Sequence, residues 1–234
     1  MIKMLVDYFP RIVNAMGQTI LMLIISVILG ITIGLVLGIL ITISSDEGLS
    51  PNKYLNKILG TIVNITRSIP FILLAIILIP FTRIVVGRAF GTFAASVPLT
   101  VIASALFARF TEQALKEVSP NIIKSGQAMG ASKLQIVVHF MLKEASSSLV
   151  LGYTSAIISI ISYSTAMGVL GGGGIGDFAI YNGYTANNTK LMVIVIIIMI
   201  IFVQIIQFIG NMVSKKLDKS RKWEEDEKNI FISF

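Results

Sequence analysis

From Ile12 to Ser45 the chain carries no charged side chain. Coiled into an α-helix, that run is about 50 Å long, well beyond the ~30 Å of hydrocarbon in a bilayer. Such a segment constrains everything around it, because backbone inside lipid must satisfy its hydrogen bonds internally, as helix or closed barrel. Composition agrees: 55% of the 234 residues are hydrophobic and only 13% are charged, where a soluble domain is near a quarter charged. The chain therefore reads as an all-α, polytopic membrane protein. Five spans are expected, at about 19–44, 60–82, 90–110, 147–169 and 191–213, within a single transmembrane domain over 19–214. A lead-in (1–18) precedes it and a charged tail (215–234) follows. The second span is expected as one helix that begins before Arg67 and is kinked by Pro70, with Arg67 near the inner interface.

Within the first span, Gly30, Gly34 and Gly38 recur every four residues. That spacing aligns them on one helix face and permits close contact with another helix. Charge then sets the orientation. With the segment between the third and fourth spans placed inside, five of the nineteen basic residues (Lys3, Arg11, Arg83, Arg88 and Lys190) lie outside or at that side. The opposite choice reverses the ratio, so the positive-inside rule puts the N-terminus outside and the C-terminus in the cytoplasm.

The least hydrophobic long stretch before the tail, Ser119 to Leu151, contains two short helices. Ser119 can cap the first, with Pro120 in its first position, and Gly130 suits the residue that ends it. Ser132 can cap the second, and Gln135 completes a capping box. Leu134, Val137, Val138, Met141 and Leu142 follow at i, i+3, i+4, i+7 and i+8, one apolar stripe. The expectation is a cytoplasmic amphipathic hairpin (119–146) with a small-residue corner, Ala128-Met129-Gly130-Ala131-Ser132, where a partner can approach the backbone. A bare connector needs neither two caps nor an amphipathic face.

Several chemistries are excluded. There is no cysteine and one histidine, His139, so thiol catalysis, disulfides and histidine-cluster metal sites are absent. No P-loop sequence occurs, and Gly171 to Gly176, although it matches Gly-x-Gly-x-x-Gly, lacks the βαβ context of a nucleotide site. It reads as a flexible turn outside the fourth span. Arg109, Glu112 and Lys116 are spaced for ion pairs as the third span leaves the bilayer. No span holds a central acidic residue, which argues against proton coupling. Tyr163, Ser164 and Met167 are candidates to line a passage.

A family resemblance joins these features. Arg67-Ser68-Ile69-Pro70-Phe71, Ile79-Pro80-Phe81-Thr82-Arg83, Val97-Pro98-Leu99-Thr100, Gln127-Ala128-Met129-Gly130-Ala131-Ser132, Tyr163-Ser164 and Gly171 to Gly176 appear in unbroken order. In this the chain resembles the methionine-import permease family of binding-protein-dependent, type I ABC importers. The resemblance implies a homodimer in the bacterial cell membrane and two cytoplasmic ATPase subunits seated on Ala128, Met129, Gly130, Ala131 and Ser132. It also implies an external substrate-binding lipoprotein, and a chain that is itself no enzyme and holds no cofactor, ATP being used by the partner. Four positions in three places depart from the family pattern. Lys124-Ser125 stand where Glu-Ala is usual, Lys143 replaces the proline of Leu-Pro-Glu-Ala, and Met167 lies one residue later after Tyr163-Ser164. Without that proline the second short helix is expected to run on into the fourth span. Other readings of the sequence are a same-type permease for another amino acid, a dipeptide or a quaternary amine, and an ATP-independent transporter or channel.

Overall fold

In the computed structural model, residues 2–218 are described, with side chains from Asp7 onward; the tail beyond 218 lies outside the described residues. Helix α1 (Ile2–Ile43) absorbs the lead-in and the first span into one rod. A turn leads to α2 (Lys53–Ser68), then α3 (Phe71–Ile77), α4 (Ile79–Val86) and α5 (Thr92–Lys116). The hairpin comprises α6 (Pro120–Ala128), α7 (Lys133–Gln135), a π-helical turn (Ile136–Met141) and α8 (Leu142–Glu144). Then come α9 (Ser146–Val169), α10 (Gly174–Phe178), a second π-helical turn (Ala179–Thr185) and α11 (Thr189–Leu217). The described residues contain no strand.

Residues 7–43 of α1, with α5, α9 and α11, are each long and apolar enough to cross a membrane. The second expected span differs from the expected kinked rod. Helix α2 stops at Ser68, Ile69 is extended, and α3 departs at 108° to α2. The cause is local: a residue before proline is pushed out of the helical region, and Pro70 has no N–H to continue the ladder. Only taken together do the two helices have the length and apolar composition of a fifth span, in the form of a sharply broken segment.

Helix α5 is the hub. The α1 glycine face meets it so closely that no side chain fits between. A Cβ on Gly34 would lie 2.5 Å from Cβ of Phe107 and 2.7 Å from the Ser104 carbonyl oxygen, and one on Gly30 would lie 2.6 Å from Cβ of Ala103. A Cβ on Gly38 would overlap Thr111. Helices in lipid gain little from the hydrophobic effect, so this contact is held by dispersion across a close-packed seam. Behind it, Met22, Leu23, Leu99, Ile102, Phe107, Ile160 and Ile161 form the central core, with Phe71 and Leu74 of α3 closing one side.

Hydroxyls fix the remaining registers. Thr111 and Tyr153 share a 2.7 Å hydrogen bond between α5 and α9, and Ser147 and Ser214 share one of 2.8 Å between α9 and α11. Gly210 leaves room on α11 for Thr154. Gly38→Leu should force α1 off α5, at a cost of about 1–3 kcal/mol or more. Thermal unfolding of the detergent-purified protein should show the loss, whereas Gly60→Ala, where a Cβ meets nothing within 4 Å, should behave as wild type apart from a small gain in helix propensity.

Candidate functional site

The hairpin forms as its caps dictate. Ser119 Oγ accepts from the Asn121 N–H at 3.4 Å. At the second helix the Ser132 N–H donates to Gln135 Oε1 at 2.8 Å while Ser132 Oγ accepts from the Gln135 N–H at 3.4 Å, the reciprocal capping box. Between them Gly130 turns the chain at φ +73°, a left-handed conformation that costs a residue with a Cβ about 1–2 kcal/mol. The Gly130 N–H reaches back to the Gln127 carbonyl at 3.0 Å and the Ala131 N–H to that of Gly126 at 3.1 Å, so the corner is a closed, rigid turn. Lys133 Nζ donates to Ser50 Oγ at 3.1 Å and ties the corner to the turn after α1.

The apolar stripe behaves differently from its 3.6-residue expectation. Val137 and Met141 are buried, as is Ile136, while Leu134 is 73% and Val138 45% exposed. The reason is the π-helical turn, where the Leu142 N–H donates to the Val137 carbonyl five residues back. The wider turn rotates later residues relative to earlier ones. Ile136, Val137, Met141 and Ala145 consequently pack beneath the end of α5 against Ala114, Leu115 and Val118, joined by Ile122 and Ile123 of α6. What stays outside is a small surface of Ala128, Met129 (67% exposed), Gly130, Ser132, Leu134 and Val138, with Ala131 half-buried behind it. His139 is exposed alongside it. The arm continues into α9 as the missing proline allows: the Ala145 N–H donates to the Met141 carbonyl at 2.9 Å, and its own carbonyl accepts from the Leu149 N–H at 2.8 Å.

At the root of the arm, Glu112 receives Arg109 at 2.8 Å and Lys116 at 2.7 Å. Its side chain is only 9% exposed, so this carboxylate is an enclosed partner of two cations and not a solvated helix-end charge. Ser148 Oγ donates to Glu117 Oε2 at 2.8 Å and joins the end of α5 to the start of α9. The hairpin, α5 and α9 are thus one mechanical unit.

The three passage candidates separate. Ser164 is buried with its hydroxyl on the Ile161 carbonyl at 2.7 Å, and Met167 is buried in the central core. Tyr163 is half-buried, its ring stacked on Phe71 with centroids 4.7 Å apart. The glycine run is no loose turn. Gln18 Oε1 accepts from the Gly174 N–H at 2.8 Å and Thr19 Oγ1 from the Ile175 N–H at 2.9 Å, pinning it to α1. Gly171, Gly173 and Gly174 hold positive φ, which is what the glycines are for. Among the described residues no group of three or more histidine or acidic side chains is placed to hold a metal ion.

The same arrangement recurs in known proteins. The pattern of the family described as "binding-protein-dependent transport system inner membrane component" matches residues 30–219. The probable D-methionine transport system permease protein MetI of Vibrio cholerae is 39% identical over 207 residues, 88% of this chain and 92% of that one. Its counterpart of the same name in Haemophilus influenzae is 41% identical over 167 residues, 71% and 78% of the two chains. Among solved structures, an inward-facing conformation of the MetNI methionine ABC transporter superposes with a TM-score of 0.87 at 37% identity, covering 92% of this chain and 98% of that one. With its broken second span, glycine-seamed core and capped hairpin, the chain belongs to the family of binding-protein-dependent transport system inner membrane components.

Proposed function

We propose that this chain is the membrane-spanning subunit of an ATP-driven importer for methionine or a close relative. Two copies pair across the translocation pathway, and each presents its hairpin to a cytoplasmic ATPase subunit. A substrate-binding lipoprotein delivers the amino acid from outside. The N-terminus lies outside and the C-terminus in the cytoplasm of the bacterial cell membrane, as the charge distribution favours. The chain catalyses no reaction and holds no cofactor; ATP is bound and hydrolysed by the partner. The substrate follows from the relatives, which are named for methionine transport.

The observation that carries the coupling role is the corner at Ala128 to Ser132. It is rigid, small and exposed, and an unsupported apolar edge of Met129, Leu134 and Val138 flanks it. A soluble subunit that moves against this edge pushes through Ile136, Val137 and Met141 onto Leu115 and Val118 of α5. Because α5 and α9 are tied to the hairpin, the push reaches the membrane core as a rigid-body displacement. Tyr163, Ser164 and Met167 remain the passage residues of this reading. Ser164 and Met167 contribute by shaping α9 from within, and Tyr163 through its partly open ring.

Reconstitution of the permease with the ATPase encoded beside it tests the assignment. Methionine-loaded binding protein should stimulate ATP hydrolysis and drive methionine into proteoliposomes. Stimulation only by another ligand would retain the importer and reject methionine, and transport by the permease alone would reject the ATP-driven reading. Gly130→Val should leave insertion and dimer formation intact, since a Cβ there has open space around it. It should strain the turn by about 1–2 kcal/mol and cut uptake at least tenfold while ATP hydrolysis persists. Wild-type uptake by that variant would refute the coupling role.

A further inference from the structure

Hydroxyls buried in the bundle satisfy themselves in a largely uniform way. Thr42, Ser96, Ser104, Thr111 and Thr154 each donate to the carbonyl four residues back. Thr82 on α4 is buried as deeply, at 3% exposed, yet among the described residues its side chain makes no hydrogen bond. A hydroxyl withdrawn from water without a partner is costly. No unpartnered polar side-chain atom is sealed off among the described residues, so the Thr82 oxygen reaches open space. That space is a cavity of about 230 Å³.

Ala75 of α3, Ile79 and Thr82 of α4, Ala94 and Pro98 of α5 and Met167 of α9 wall the cavity, and Phe90 borders it from the loop before α5. That loop is held down, since the Gly91 N–H donates to the Gly171 carbonyl at 2.9 Å. In the orientation proposed above, this end of the bundle faces outside, where an imported substrate arrives. Phe71 and Tyr163 stack on each other. They stand four residues before Ala75 and Met167, on the same faces of α3 and α9. The cavity therefore adjoins the residues assigned to the passage.

Size and chemistry limit the occupant. Sites that enclose a whole drug-sized ligand measure about 300–1,000 Å³; this cavity is smaller and suits one unbranched side chain. Apart from Thr82, the side chains around it are apolar. A water would find a single side-chain partner there, whereas buried waters make about three hydrogen bonds. A hydrocarbon occupant, a lipid tail included, would leave the hydroxyl unpartnered. A thioether meets both demands: it packs as an apolar chain, its sulfur accepts a weak hydrogen bond, and it lies favourably against aromatic rings.

We propose that this cavity receives the side chain of the transported amino acid, with the Thr82 hydroxyl donating to a thioether sulfur and the Phe90 ring beside it. The inference rests on the reading of the chain as a methionine permease and names where within it the substrate is recognised. Thr82 is then a specificity-determining residue, and its missing hydrogen bond is completed by the substrate.

The chain has no cysteine, and Ala89, half-buried at the rim of the cavity, offers a place for a reporter. In the purified complex Ala89→Cys should react with a small neutral maleimide, and free methionine should slow that reaction. Norleucine, with a methylene in place of the sulfur, should protect about threefold less well, the worth of one modest hydrogen bond. Adding Thr82→Val, which keeps the shape and removes the hydroxyl, should make the two amino acids protect alike. Thr82→Ser, which restores a hydroxyl, should restore the preference for methionine. A cysteine at 89 that does not react, or that methionine does not protect, would overturn the pocket. So would equal protection by the two amino acids with Thr82 in place, or a preference that survives Thr82→Val. An absence of methionine uptake by the reconstituted wild-type complex would instead reject the importer assignment, and the protection pattern would still decide whether the cavity takes a thioether.

Discussion

The seam between α1 and α5 is the constraint on which the rest depends. Three glycines on α1 let its backbone approach Ala103, Phe107 and Thr111 so closely that α5 becomes enclosed. An enclosed α5 can carry Glu112 between two cations at its inner end and offer Leu115 and Val118 as the floor on which the hairpin sits. It also gives α2, α3 and α9 a fixed surface to pack against. In hydrocarbon, where apolar side chains gain nothing from leaving water, shape of this kind takes the place of the hydrophobic effect.

From that seat two features project that a stable membrane bundle alone does not need. At the hairpin, a capped corner with positive φ at Gly130 leaves apolar side chains uncovered. At the break between α2 and α3, a helix end leaves Arg67 exposed beside carbonyls that accept no backbone hydrogen bond across the break. The uncovered apolar edge carries a cost in the isolated chain, and in the reading proposed above a soluble subunit covers it. The π-helical turn serves the first. By widening the helix at Ile136 to Met141 it lets the inner face bury Ile136, Val137 and Met141 while Leu134 and Val138 remain at the surface.

Much of this was legible in residue order because it is written in local rules. Ser119, Ser132 and Gln135 announce their caps, and the uncharged runs announce the spans. Gly30, Gly34 and Gly38 announce the close helix contact. What was not legible depends on non-local competition. Nothing near Leu134 signals a π-helical turn, so a 3.6-residue stripe was the natural expectation there. Pro70 signals a kink, but the size of the break is set by where Phe71 and Leu74 of α3 find their seat in the central core. The glycine run looked loose until Gln18 and Thr19, more than 150 residues away, proved to hold it.

The most direct measurement is site-specific cross-linking at the corner in the assembled complex. Ala128→Cys, in a chain that is otherwise free of cysteine, should cross-link to the ATPase subunit through a short thiol-reactive linker. The yield should change when the ATPase binds nucleotide. An intact complex in which Ala128→Cys captures no ATPase, while a cysteine elsewhere on the inner surface does, would contradict the account.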